Sequence, residues 1–252
     1  MADFQFSDQK LSDKLVESIS NLLDAAGIPH LLWGNFLLAI YGVPTIVEGV
    51  SFIVPDTLIE RAESIIGKSG FLPCPRPSEC PHEVPLVSPR ADAHRHIDDD
   101  LAISLFRKSE ILLDFPDLES AFGNCSPDVM HASDERLPSY TIGRGQGRLR
   151  FKSSIRIPTT MMYTEAIITL ICRDWHTRRQ GYWVAMLTYI MEYVDGTDAM
   201  FNSEDLKDGY KEFYCAASRV DRTMWPILEE LRRDLIDREV ITLAEDAGDE
   251  SW

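Results

Sequence analysis

The sequence predicts an α+β protein, with a mixed sheet flanked by helices and then a helical subdomain. Three observations point there. Short apolar, β-branched runs alternate with amphipathic stretches up to about residue 115. Glycine and proline fall at the places where such runs should turn or stop. From Thr159 onward, apolar residues recur at helical spacing. The expected division is an α/β core over 1–118, a hairpin-like connecting segment over 119–158, a helical subdomain over 159–244 and an acidic tail over 245–252.

Leu11, Leu15, Ile19, Leu22 and Leu23 define an amphipathic helix within 9–27 that ends near Gly27. "IPHLLW" is a short buried strand. Gly34 and Asn35 turn the chain into "FLLAIYG", a short helix with Gly42 just past its end. "VEGVSFIV" is a second strand, stopped by Pro55. Asp56 or Thr57 is expected to cap the following helix, which closes near Gly67 or Gly70. Six prolines, two cysteines and three histidines then crowd 71–100, which predicts an exposed excursion. "LAISLF" and "ILLDF" are expected to be two strands of a hairpin joined by "RKSE". Alternating segments flank Gly143, Gly145 and Gly147. No Lys-Ser/Thr helix start follows them, so a hairpin tip is preferred to a phosphate cradle. Four helices are predicted after Thr159. "YWVAMLTYIMEYVD" is apolar enough for a central core helix, and Pro226 suits the first turn of the last one.

Charge and cysteine content restrict the function classes. With 25 basic and 41 acidic residues, the net charge is −16, a field that repels a nucleic-acid backbone. The densest basic stretches are Arg144 to Lys152 and Arg173 to Arg179, and neither is a long cluster. No apolar run approaches the ~20 residues of a membrane span. No basic region followed by an apolar core opens the chain, and five cysteines are an odd number. A cytoplasmic, reducing location with unbridged thiols is therefore expected. No membrane association is expected, and the sequence leaves the oligomeric state open.

Two segments carry metal-ligand residue types. Cys74, Cys80 and His82 lie together in "CPRPSECPH". Their spacing is not that of a zinc knuckle and no fourth ligand is evident nearby, so a proline-stiffened loop is the preferred reading. "DAHRHIDDD" places His94 and His96 at i and i+2, on one face of any strand there, with Asp98, Asp99 and Asp100 close by. A solvated loop is the preferred reading again. His30 could face a pocket beside Trp33, but a hydrogen-bonded structural histidine is the commoner arrangement.

The stretch "WGNFLLAIYGVPTIVEGVSFIVPDTLIERAESII" resembles the opening of the nucleotidyltransferase fold, as found in minimal and antitoxin/toxin-type nucleotidyltransferases. It is most similar to a fungal nucleotidyltransferase-like group in which a "WG…YGVPT…FVVPD" opening recurs. Phe106-Arg107-Lys108-Ser109-Glu110-Ile111-Leu112 fits that group's later "lyRKSelLW" segment. The resemblance covers residues 28–70 well, 101–118 moderately, and the helical half only in outline. It implies that Gly34, beside Trp33 and with Asn35 in the usual serine place, forms a turn that holds nucleotide phosphates. It also implies an Asp-x-Asp pair on the second strand that holds magnesium, and a third carboxylate on a later strand.

Here the chain departs from the family. The two carboxylate places hold Gly49 and Ser51. Glu48 is one residue away and points inward only if a β-bulge at Gly49 rotates it. Asp114 in "ILLDF" is the candidate third carboxylate. Arg107 and Lys108 are candidates for phosphate contact at the rim, and Glu165, near Tyr163 at the start of the helical half, for ligand contact. Nucleotidyl transfer needs metal ions to neutralise the triphosphate, so a fold that outlives its chemistry is the first reading. It keeps a cleft that binds a small ligand, through Trp33, Gly34, Asn35, Ser51, Arg107, Lys108 and Glu165. The second reading is an active magnesium-dependent transferase using Glu48 and Asp114, with magnesium and a nucleotide as cofactors in that case alone. The third is a non-enzymatic protein-interaction module. The sequence does not decide whether the chain is an enzyme, nor name a metal set.

Overall fold

A computed structural model describes residues 4–82, 88–119, 126–196 and 200–242. The acidic tail lies outside the described residues. None of the described helices is long and apolar enough to cross a membrane.

Helix α1, Asp13–Ala25, starts where the Ser12 hydroxyl accepts the Leu15 N–H at 3.4 Å. It buries Leu15, Val16, Ile19 and Leu23. Strand β1, Leu31–Trp33, runs directly into helix α2, Gly34–Ile40. Gly42, at φ +93°, closes α2, with its N–H on the Ala39 carbonyl at 3.1 Å. Strand β2, Gly49–Val54, is followed by a 3₁₀ turn, Asp56–Leu58, and helix α3, Ile59–Lys68. Asp56 does not cap that turn. Its carboxylate accepts the Ser109 N–H at 3.1 Å, at the start of a different helix.

Two expectations for 71–118 need correction. The Pro-rich excursion contains strand β3, Ala93–His96. Strand β4, Ala102–Arg107, then passes into the short helix α4, Lys108–Ile111, so "RKSE" is no hairpin turn and "ILLDF" is no strand. The Asp56 bond to Ser109 anchors α4 where a hairpin tip would have been free.

The sheet order is β1-β2-β4-β3. β1 is antiparallel to β2, β2 parallel to β4, and β4 antiparallel to β3. Paired residues in register project to the same face. One row therefore runs Trp33, Ser51, Ser104, His94, and the next runs Gly49, Ala102, His96. The opposite face carries Val50, Phe52 and Val54, all buried.

Residues 132–155 are mainly turns. The glycine-containing turn is a hairpin tip, closed by the Thr141 N–H on the Gln146 carbonyl at 2.7 Å and the Arg148 N–H on the Pro138 carbonyl at 2.9 Å, but regular strands form only as the small pair β5 Val129–His131 with β6 Arg156–Pro158. Gly145 and Gly147, at φ +68° and +76°, serve as close-packing points there. A Cβ at Gly145 would lie 2.4 Å from the Gly42 carbonyl oxygen, and one at Gly147 2.6 Å from that of Pro138.

The helical half comprises α5 Thr160–Arg173, α6 Arg178–Tyr193, α7 Tyr210–Ser218 and α8 Met224–Asp237. α5 is the central helix, with ten of its residues buried. α6 is not central: it buries one stripe, Trp183, Met186, Leu187 and Ile190, and leaves Val184 and Tyr193 exposed. The halves join where Trp33 meets Tyr163 of α5, ring centroids 4.7 Å apart, and where the Tyr41 hydroxyl donates to the Pro158 carbonyl at 2.6 Å.

Candidate functional site

A cleft of about 130 Å³ opens on the sheet face that carries the Trp33–Ser51–Ser104 row. Gly34, Asn35, Glu48, Gly49, His82, Ser88 and Tyr182 also line it. Gly34, at φ +72°, lies over Ser51. A Cβ there would come within 3.1 Å of the Ser51 hydroxyl, so glycine allows both the turn and the close approach. Asn35 stitches the rim, its side-chain amide donating to the Ile46 carbonyl at 3.0 Å.

Gly49 is the most constrained position of the wall. Its φ is +143°, and a Cβ would sit 2.1 Å from the Ala102 carbonyl oxygen and 2.9 Å from its nitrogen. The β2–β4 register is continuous from Gly49 to Val54, so no bulge rotates the strand. A carboxylate at this position would require the two strands to separate. Ser51 and Ser104, opposite each other, are the polar pair that the wall presents instead. Glu48 lies before the strand and lines the cleft without a bulge. Among the described lining residues it is the single carboxylate. Burial, together with the Glu48 and Tyr189 fields, pushes the Tyr182 phenol up to about 12, so its hydroxyl stays protonated.

Several expected site residues lie elsewhere. Asp114 and Glu165 do converge, but in a second cavity shared with Asp128, Lys207 and Tyr210. The Lys207 ammonium is 2.8 Å from Glu165 and 3.5 Å from Asp114, and Arg238 is 3.7 Å from Asp114. The Lys207 N–H also donates to Glu165 at 3.0 Å. The reading of Asp114 as a third strand carboxylate fails because its segment is a turn after α4. Arg107 pairs with Asp92 at 3.3 Å, on the side of β4 opposite Phe106. Lys108 is half-buried, and burial lowers its pKa against the opposing pull of Asp56, Asp117 and Asp114. Neither basic residue lines the cleft.

His30 is fully buried behind the sheet, between the Ser20 hydroxyl at 2.7 Å and the Ile28 carbonyl at 2.9 Å, with its ring edge on Phe52. His94 and His96 share one strand face and meet Cys74 and Cys80 from the excursion. Ser104, Tyr182 and His82 are cleft residues that the sequence did not single out as such. Ser104 left a trace, since it is the one polar residue of "LAISLF".

No family model matches the chain, and no curated protein matches it. Two solved structures of ANT(2'')-Ia are similar to it. The solution structure of this antibiotic-resistance factor shares 12% identity, covering 88% of this chain and 96% of that one, with a TM-score of 0.37. The crystal structure in complex with adenylyl-2''-tobramycin shares 13% identity, covering 90% and 97%, with a TM-score of 0.36. The class that the strands and helices define by themselves is an α+β fold with a mixed four-stranded sheet and a helical subdomain.

Proposed function

We propose that this is a nucleotidyltransferase-fold protein whose cleft binds a small neutral or cationic ligand and has lost the carboxylate pair of metal-dependent transfer. The succession α1, β1, Gly34 turn, α2, β2, α3 supports the fold reading, since it is the order that the resemblance implied. The closed space at Gly49 carries the functional reading. Magnesium against a triphosphate needs acidic oxygens, and the wall offers serine hydroxyls. The described lining holds no lysine or arginine to neutralise phosphates, and its one charged carboxylate, Glu48, would repel them. Trp33 supplies an apolar face. Ser51, Ser104, Asn35 and the protonated Tyr182 supply hydrogen bonds, a mix typical of small-molecule sites. A cytoplasmic location suits the odd cysteine count, and the acidic surface argues against a nucleic-acid partner.

Glu48 in the lining favours one alternative, a magnesium-dependent transferase with a non-standard carboxylate. Calorimetry with ATP and GTP, with and without magnesium, separates the two readings. Nucleosides and small amines serve as the neutral and cationic probes. Magnesium should leave any nucleotide binding unchanged, and Ser51→Ala should weaken binding of the uncharged or cationic probes. Magnesium-dependent ATP binding that Glu48→Gln abolishes would establish the alternative. Silence of all probes would favour an interaction module.

A further inference from the structure

We infer that Cys74, Cys80, His94 and His96 form a closed structural zinc site that pins the Pro-rich excursion to the sheet edge beside the cleft. Their four ligand atoms all lie within 4.8 Å of one another. The Cys80 sulfur is 3.6 Å from His94 Nε2 and 3.6 Å from His96 Nε2. With Zn–S near 2.3 Å and Zn–N near 2.0–2.1 Å, a tetrahedral centre sets sulfur and nitrogen about 3.5 Å apart. The two equal sulfur–nitrogen contacts match that separation.

Three further observations support the site. Cys80, His94 and His96 are all buried. The second ring nitrogen of His96, Nδ1, donates to the Asp98 carbonyl at 3.2 Å, which leaves Nε2 as the ligand, the usual orientation for a metal-bound histidine. The loop is also held in place independently: the His96 N–H bonds the Leu72 carbonyl at 2.9 Å, which delivers Cys74 and Cys80 to the strand's histidines. Two thiolates and two imidazoles with no open position are a zinc donor set.

The location gives the ion its role. His94 pairs with Ser104, and His96 with Ala102, so the ion would sit on the sheet face that forms the cleft wall. Pro81 and His82, immediately after Cys80, line that cleft. Zinc therefore fixes one wall of the ligand site, in a segment that the Leu72–His96 bridge and the His82 ring contacts with His94 and His96 also hold to β3.

The test uses the full chain, prepared under reducing conditions without a polyhistidine tag, stripped with a chelator and titrated with cobalt(II). The expected result is one equivalent bound, with the intense visible bands of a tetrahedral site and sulfur-to-metal charge transfer, displaced by zinc. The protein as purified should contain one zinc by elemental analysis. Cys80→Ser and His94→Asn should each abolish the bands and lower zinc affinity by more than about 100-fold, whereas Cys215→Ser should leave both unchanged. A wild-type chain without a saturable tetrahedral spectrum overturns the inference whether or not the variants fold. So does a spectrum that survives Cys80→Ser.

Discussion

Two cavities, one over β2 and β4 and one beside the segment that follows α4, handle charge in opposite ways. The cleft over β2 has an uncharged wall of Ser51 and Ser104 and one carboxylate at its lip. The cavity beside α5 holds Asp114, Glu165 and Lys207 in one network with Arg238. Two carboxylates sought for the first place, Asp114 and Glu165, are found in the second, where cations already occupy them. Acidic residues near a cleft are thus weak evidence of catalysis until their partners are known. The paired set ties α5 and the end of α8 to the segment after α4, which is a structural role.

The sharpest way to break this contrast is to put a carboxylate back into the wall. Gly49→Asp meets the Ala102 carbonyl oxygen at 2.1 Å and a left-handed φ, and should cost at least about 3 kcal/mol in urea denaturation. Ser51→Asp, at a position that already carries a Cβ, should cost less than about 1.5 kcal/mol and remain folded. If the two substitutions cost the same, backbone closure at Gly49 is not what keeps the wall uncharged.

The charged cavity allows a milder test. Lys207→Met removes the cation between Asp114 and Glu165. Lys207 is 57% exposed in its side chain and Glu165 14%, so solvent screens part of the pair, and a loss of about 1 kcal/mol is expected. A double-mutant cycle with Glu165→Gln should give a coupling of about 0.5–1 kcal/mol. Binding of a ligand in the cleft should not change. If Lys207→Met or Asp114→Asn abolished that binding, the functional site would be the wrong one of the two.

What the sequence made legible follows from the range of the forces involved. α1, α2 and β2 depend on local periodicity and on glycine, and their residues announce them: the helical spacing from Leu11 to Leu23, Gly42 after Ile40, β-branched residues up to Pro55. Strand β3 was hidden because prolines and charges surround "AHRH", and only pairing with β4 makes it a strand. The four-ligand cluster was hidden for the same reason. Its cysteines lie six residues apart in a loop, its histidines two apart in a strand, and neither pair alone has a zinc spacing. Asp114 misled because "ILLDF" has a strand's composition, while the Asp56 bond to Ser109 turns the chain before it.

The smallest expected effect lies behind the sheet, where His30 should tie stability to pH independently of either cavity. Burial lowers its pKa below the ordinary ~6.5. The bond to the Ile28 carbonyl and the Asp24 charge oppose the shift, and Arg156 reinforces it. As pH falls through about 6.5, the unfolded chain takes up a proton that the folded chain refuses. Stability from this group is therefore complete above that pH and declines below it, with a slope of at most about 1.4 kcal/mol per unit. His30→Gln removes the titrating group, so urea midpoints at pH 7.5 and 5.5 should draw closer in the variant than in the wild type, by less than about 1 kcal/mol. An unchanged gap would mean that the ring takes up a proton in its pocket as readily as in the unfolded chain. The Ser20 hydroxyl would then have to accept from Nε2 instead of donating to it.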